Sequence, residues 1–253
     1  MQIIDVVTFN NEHDLFEIRY NILKDYVDEF IVVEFDKTFS GKPRESSFPF
    51  KDLPKVKHFF VTEDVWDKYM DMAYESPNTR GAEHWKTEFS MKESIKDCLT
   101  HLKDDDIVFI GDCDEIWRMP IIDDNQVLKL KLDVYTYYLN NRSNEEFWGT
   151  IVGRYGYIKD KCLNHLRTTD NYKPLYSTGW HFTSQGGIDA LKKKMDDTYT
   201  DESYWNDTVK SRIDERFENN QDFLGRPFTL NIDEVDLPQY LKDNKEKYKH
   251  LWK

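Results

Sequence analysis

Residues 3–9 form a nearly unbroken apolar and β-branched run, the pattern of a strand buried on both faces. After Asn10, Asn11 and Glu12, the apolar residues Leu15, Ile18, Ile22 and Tyr26 recur every three or four positions, the period of an amphipathic helix. Acidic Glu12, Asp14 and Glu17 fall in its first turns, where the helix dipole favours them. Residues 30–35 are a second buried run, and the strand, helix, strand order implies a parallel sheet. Residues 36–54, with Gly41 and three prolines, read as a long loop, 56–62 as a third strand and 63–82 as polar and irregular. A helix is expected over 83–102, with Trp85, Phe89, Ile95 and Leu99 on one face, followed by a fourth buried strand at 107–111.

The pattern then changes. Residues 134–139 and 149–158 alternate and carry aromatics, as mixed or antiparallel strands do, and helices are expected near 187–197, 204–219 and 238–251. No repeat and no Gly, Ser or Pro-rich linker divides the chain. The expectation is one α/β domain over 1–253, a nucleotide-type half with a mostly parallel, Rossmann-like sheet (1–120) and a more irregular, aromatic-rich half (121–253).

Composition narrows the classes of function. The 253 residues include 35 Lys and Arg against 48 Asp and Glu, a net charge of −13, which disfavours nucleic acid and anionic membrane surfaces as partners. Sixteen Phe, fifteen Tyr and seven Trp exclude a disordered chain despite the high charge. Cys98, Cys113 and Cys162 are odd in number and lack metal-ligand spacing, so neither a disulfide framework nor a zinc site is expected. No run approaches the roughly 18 apolar residues of a membrane span, and residues 1–5 lack a secretory leader pattern. A reducing, cytoplasmic location is the expectation.

Candidate chemistry begins after the fourth strand. Open α/β sheets place ligands beyond the carboxyl ends of their strands, where Asp112, Asp114 and Glu115 stand. Two carboxylates one residue apart can turn oxygen ligands toward one hard cation, Mg²⁺ or Mn²⁺; a solvated acidic turn is the plain alternative. Two reactions use such a pair. In one kind of phosphohydrolase the first Asp attacks phosphorus, but Ile116 at the fifth position and the late strand count against it. In a nucleotide-sugar transferase a metal held by a carboxylate neutralises the departing diphosphate. Residues 177–187 add Trp180 and His181 ahead of a Gly186-Gly187 turn: the imidazole can complete a metal shell and the indole can stack on a sugar, against the alternatives of core packing and ordinary hydrogen bonding. A non-catalytic carbohydrate-binding protein remains a third possibility.

Taken together, five blocks resemble glycosyltransferase family 17, the family of the enzyme that adds the bisecting N-acetylglucosamine to N-glycans. They are Asn11-Glu12-His-Asp14-Leu-Phe-Glu17-Ile-Arg19, Val33-Glu34-Phe-Asp-Lys-Thr38-Phe-Ser-Gly41-Lys-Pro43, Ile107-Val-Phe-Ile-Gly-Asp112-Cys-Asp114-Glu115-Ile116, Gly179-Trp180-His181 and the closing residues 238–248. The resemblance implies a GT-A-like fold, a UDP-sugar donor, a glycan acceptor, Mn²⁺ or Mg²⁺ as cofactor, and inverting transfer, with N-acetylglucosamine the family's expected sugar. It implies that Asn11, Glu12 and Glu34 approach the nucleotide, that Lys92 contacts phosphate, and that Trp180 belongs to the sugar site. Asp112 is then near ribose and metal, Asp114 is the direct metal ligand, and His181 is a late ligand from the far side of the cleft. Asp114 and Glu115 are the catalytic candidates; the proton acceptor is not identified, with Asp189 and Asp222 as further choices.

Overall fold

The computed structural model describes residues 1–79, 81–118, 126–169, 174–175, 178–199 and 204–253. Its strands are β1 (Ile3–Thr8), β2 (Glu29–Phe35), β3 (Val56–Val61), β4 (Ile107–Asp112), β5 (Glu115–Trp117), β6 (Leu128–Thr136), β7 (Asn141–Arg154), β8 (Pro174–Leu175), β9 (Gly179–Thr183) and β10 (Leu230–Ile232). They form one sheet in the order β3-β2-β1-β4-β7-β6-β9-β5, with β8 beside β6 and β10 beside β7. The first four are mutually parallel; β7 is antiparallel to β4 and β6, and β9 runs parallel to β6 and antiparallel to β5. A Rossmann-like parallel half thus continues into a more irregular aromatic half, the GT-A-like arrangement expected.

The continuous apolar strands are explained by coverage on both faces. Along β1, Ile4 and Val6 join one buried cluster with Ile31, Val33, Val108, Ile110 and Met91, whereas Val7 joins the other with Phe30, Val32, Phe109, Leu15 and Phe16. The helix His13–Leu23 lies on the second face and the helix Glu83–Ser94 on the first. The chain leaves β1 toward β2 and β3 and later returns to β4 on the other side of β1. Strand order therefore reverses between β1 and β4, the place where open α/β sheets form a binding crevice.

Several expected boundaries move. Residues 63–82 contain the helices Glu63–Trp66 and Met70–Glu75, and the helix expected to reach 102 ends at Ser94 and continues as a 3₁₀ turn, Ile95–Cys98. β6 starts at Leu128 because Leu128, Leu130, Leu132 and Val134 are buried while charged residues alternate with them. β7 extends back to Asn141 and stops at Arg154, before the helical turn Tyr155–Ile158. The closing segment is two short pieces, Gln239–Asp243 and Lys249–Leu251. Among the described residues, no helix is long and apolar enough to cross a membrane. Cys98, Cys113 and Cys162 are free thiols.

Candidate active site

At the reversal point β1 and β4 end in register, Thr8 opposite Asp112, and the Thr8 hydroxyl donates to Asp112 Oδ1 at 2.9 Å. Beyond these ends opens a cleft of about 620 Å³ whose lining includes Asn11, Glu12, Lys92, Asp112, Asp114, Glu115, His181 and Lys194. The turn from β4 to β5 is held from below by a buried cation. Arg19, on the first helix, pairs with Asp5 in the middle of β1 at 2.6 Å and donates to the carbonyls of Asp112 (3.3 Å) and Glu115 (2.5 Å). Asp5 also accepts the Trp117 indole N–H at 2.7 Å, so one buried ion pair fixes the path of the acidic turn.

Strand pairing decides which residues of the Gly-Trp-His block reach the cleft. In the β5 and β9 ladder Glu115 faces His181, Ile116 faces Trp180 and Trp117 faces Gly179. A Cβ on Gly179, whose φ is +151°, would lie 2.3 Å from the Ile116 carbonyl oxygen, so only glycine admits this approach. Successive side chains of a strand point to opposite faces. His181 consequently lines the cleft beneath Phe147, with ring centroids 4.0 Å apart, while Trp180 is buried on the other side. Its indole donates to the Asp236 carbonyl at 2.7 Å and carries the Arg118 guanidinium 4.4 Å above its ring. The sugar-stacking position expected for Trp180 is corrected: it is a core residue behind the site. The aromatic wall of the cleft is instead built by Trp85, Tyr199 and Tyr204, with Tyr199 and Tyr204 stacked at 5.4 Å and Trp85 edge-on to Tyr199 at 5.9 Å.

The carboxylates differ sharply in what they hold. Asp112 is gripped by Arg167, at 2.9 and 3.2 Å, and by Lys92 at 3.3 Å. Burial works against its charge, but Arg167 and Lys92 hold its pKa well below the usual carboxylate range. Lys92 is bound to Glu88 at 2.6 Å as well. Glu115 is fully buried, with Thr150 donating to one oxygen at 2.8 Å and Arg167 to the other at 2.9 Å. A Cβ at Gly111 would lie 2.3 Å from the Thr150 hydroxyl, and one at Gly149 2.6 Å from the Glu115 carboxyl carbon, so two glycines make the slot that Glu115 fills. With both oxygens engaged, Glu115 is suited to holding Arg167 and not to taking a proton. Asp222 is buried against Arg226 and Asp189 is exposed, and neither lines the cleft.

Asp114 Oδ1 faces His181 Nε2 at 3.6 Å and its Oδ2 faces Lys194 Nζ at 3.1 Å. Burial opposes its charge, yet Lys194 and His181 hold its pKa below the usual range. Glu12, at the start of the first helix, behaves oppositely: burial, then the negative charge of Asp114, pushes its pKa up to about 7, although the Asn10 N–H donates to it. Asn11 adopts a left-handed turn (φ 67°), tolerable for Asn, and its side-chain oxygen accepts from Ser47. Glu34, expected at the nucleotide, is completely buried outside the cleft lining. It accepts from Arg44 (2.9 Å), Ser46 (2.7 Å) and the Ser47 N–H (2.8 Å), with His58 Nε2 3.0 Å away, so that expectation is corrected to a structural anchor for the loop after β2.

A divalent ion with Mg²⁺-like habits takes one or two protein ligands and fills its shell with water and substrate phosphate oxygens. The 3.6 Å gap between Asp114 and His181 suits two ligands of one cation, each bonded at about 2.1 Å. Asp112, committed to Arg167 and Lys92, is not a third donor, and among the described residues no group of three or more His, Cys, Asp or Glu converges for a metal. The donor set fits a cation completed by a ligand, not a closed protein cage. Arg167 and Lys194 were not singled out in the sequence; Lys194 sits in a run of three lysines that only the fold distinguishes, and Arg167 lies on the short helix Leu163–Thr168, which has no strong periodic pattern.

The glycosyltransferase family 17 model matches residues 1–201. The beta-1,4-mannosyl-glycoprotein 4-beta-N-acetylglucosaminyltransferase of Rattus norvegicus is 29% identical over 117 residues, which is 46% of this chain and 21% of that protein. The Homo sapiens protein of the same name is 29% identical over 117 residues, 46% of this chain and 22% of that protein. The match thus spans about a fifth of the length of these relatives. A solved structure of CTP:phosphocholine cytidylyltransferase from Streptococcus pneumoniae aligns with 78% of this chain and 99% of that one, at 12% identity and a TM-score of 0.35, too low to define a shared fold. The family match covers most of the chain, and the chain belongs to glycosyltransferase family 17.

Proposed function

We propose that the cleft binds a UDP-sugar with Mn²⁺ or Mg²⁺ and that the protein transfers the sugar, N-acetylglucosamine on the family's expectation, to a glycan hydroxyl with inversion. The observation that carries this reading is the Asp114 and His181 pair beside Lys92, Arg167 and Lys194 at the reversal point of the sheet. Lys92, Arg167 and Lys194 offset the carboxylates gathered there, and a divalent ion would add the positive charge that a nucleoside diphosphate needs. When bound between Asp114 and His181, the metal ion would neutralise charge developing on the departing diphosphate.

The chain's own residues supply position and field. Arg19 fixes the β4 to β5 turn so that Asp114 faces His181. Lys92 and Arg167 neutralise Asp112, so the carboxylate nearest the phosphate side of the cleft does not stand there as a bare negative charge. Asn11 and Glu12, in the turn after β1, offer polar groups to the nucleoside, and Trp85, Tyr199 and Tyr204 offer ring faces to a sugar. The phosphohydrolase alternative is weaker, because Asp112, its nucleophile, has both oxygens occupied by Thr8, Lys92 and Arg167.

Calorimetry with UDP and a panel of UDP-sugars tests the reading. Wild type should bind UDP only when Mn²⁺ or Mg²⁺ is present, and Asp114→Ala should abolish that binding with the circular dichroism spectrum unchanged. Near-normal UDP affinity in Asp114→Ala would overturn the metal assignment. Phosphate release from phosphomonoesters would favour the hydrolase, and sugar binding without nucleotide binding would favour a carbohydrate-binding protein.

A further inference from the structure

Three lysines stand in a row on the helix Gly187–Thr198, and their partners differ. Lys192 pairs with Asp214 at 2.7 Å on the outer surface, and Lys193 pairs with Asp197 one turn along. Lys194 alone of the three points at the reaction centre, with Nζ 3.1 Å from Asp114 Oδ2 and 3.4 Å from the Thr183 hydroxyl. The other oxygen of the same carboxylate faces His181 at 3.6 Å. An ammonium and a divalent cation on one carboxylate repel strongly, because the dication doubles the Coulomb term and the site is shielded from water on the protein side. Lys194 is also 40% exposed on a flexible four-carbon stem, so its head can swing within the cleft without unpacking anything.

We propose that Lys194 is a resident counter-cation of Asp114 which the divalent ion displaces, and that the displaced ammonium pairs with the donor diphosphate, making metal and nucleotide bind cooperatively. This rests on the reading that the cleft takes a metal-bound nucleoside diphosphate. In the empty site Lys194 keeps the Asp114 carboxylate charged and ordered while lowering its affinity for metal. The diphosphate supplies the new partner that makes leaving Asp114 favourable. Each ligand therefore assists the other by the same factor, as linkage requires. Lys194 is a specificity-determining residue on this view: a phosphate-free sugar gives the displaced ammonium nothing to bind.

The test is calorimetry of Mn²⁺ alone, UDP alone, and Mn²⁺ at saturating UDP, on wild type, Lys194→Gln and Lys194→Arg. In wild type, UDP should raise Mn²⁺ affinity by about tenfold or more, within the usual range of coupling. In Lys194→Gln, Mn²⁺ alone should bind about tenfold tighter than in wild type and the enhancement by UDP should shrink several-fold; Lys194→Arg should keep the wild-type enhancement. Mn²⁺ binding to Lys194→Gln no tighter than to wild type, with the enhancement intact, overturns the proposal and leaves the proposed function standing. Wild-type coupling below about twofold overturns it without reference to any variant. Wild type that binds no UDP at any Mn²⁺ concentration overturns the proposed function itself and this inference with it.

Discussion

Glu12 and Glu34 stand near the carboxyl ends of adjacent strands and titrate in opposite directions. For Glu34, burial raises the pKa, but His58, Ser46 and Ser47 more than compensate and hold it down to about 2. A carboxylate depressed in the folded state contributes stability that is present above its unfolded value, about 4.5, and is lost as pH falls toward 2. Glu34→Gln should therefore lower Tm at pH 7, with the difference from wild type shrinking between pH 4.5 and pH 2 and UDP affinity unchanged; a loss of UDP affinity at unchanged Tm would return Glu34 to the nucleotide site. Glu12 has the opposite sign. Its folded pKa of about 7 means that the folded state binds the proton more tightly, so its contribution to stability falls as pH rises from about 4.5 to 7. In chelator, Glu12→Gln should be more stable than wild type at pH 8 and no more stable at pH 4; thermal melts at the two values decide, and equal differences at both would refute the raised pKa. The sequence showed where these carboxylates stand in the chain, but Ser46, Ser47 and His58, which separate anchor from cleft residue, come from a loop and a neighbouring strand.

At the scale of elements, the short β5 and β9 ladder divides the Gly-Trp-His block between core and cleft. Trp180→Ala should cost about 3 to 5 kcal/mol, the usual range for a large buried aromatic, while leaving Mn²⁺-dependent UDP affinity within about twofold. Denaturant melts and calorimetry read the two effects separately, and a selective loss of nucleotide binding with unchanged stability would put the indole back in the site. The sequence could not resolve this division, because β5 is three residues long and only its register with β9 sets which face each side chain takes. The strands β1, β2 and β4 were legible because a sheet covered on both faces needs continuous apolar runs. The helices within 63–82 were not, since they are four and six residues long and bury little more than Trp66 and Ala73. The alternation of Leu and charged residues from 128 to 134 was present in the chain and marks β6, which begins earlier than the aromatic run at 134 suggests.

Across the molecule, the sheet crosses from the parallel half into the aromatic half without a break, and the cleft draws on both: Glu12, Lys92 and Asp114 from one, His181, Lys194 and Tyr199 from the other. The acidic turn was legible as a site because it ends a buried strand. Its neutralising partners were not, since Arg167 and Lys194 reach it from 55 and 80 residues away in sequence. The same long-range closure ties the family blocks together, Arg19 beneath the acidic turn and the closing segment against the first helix, where Tyr248 donates to Glu17 at 3.1 Å. The most direct measurement is a crystal structure with UDP and Mn²⁺, with anomalous data at the manganese edge. It should show one peak bonded to Asp114 and His181 Nε2, the diphosphate against that ion, and the uridine toward Asn11 and Glu12. A manganese peak away from Asp114, or UDP bound outside this cleft, would contradict the assignment of the site.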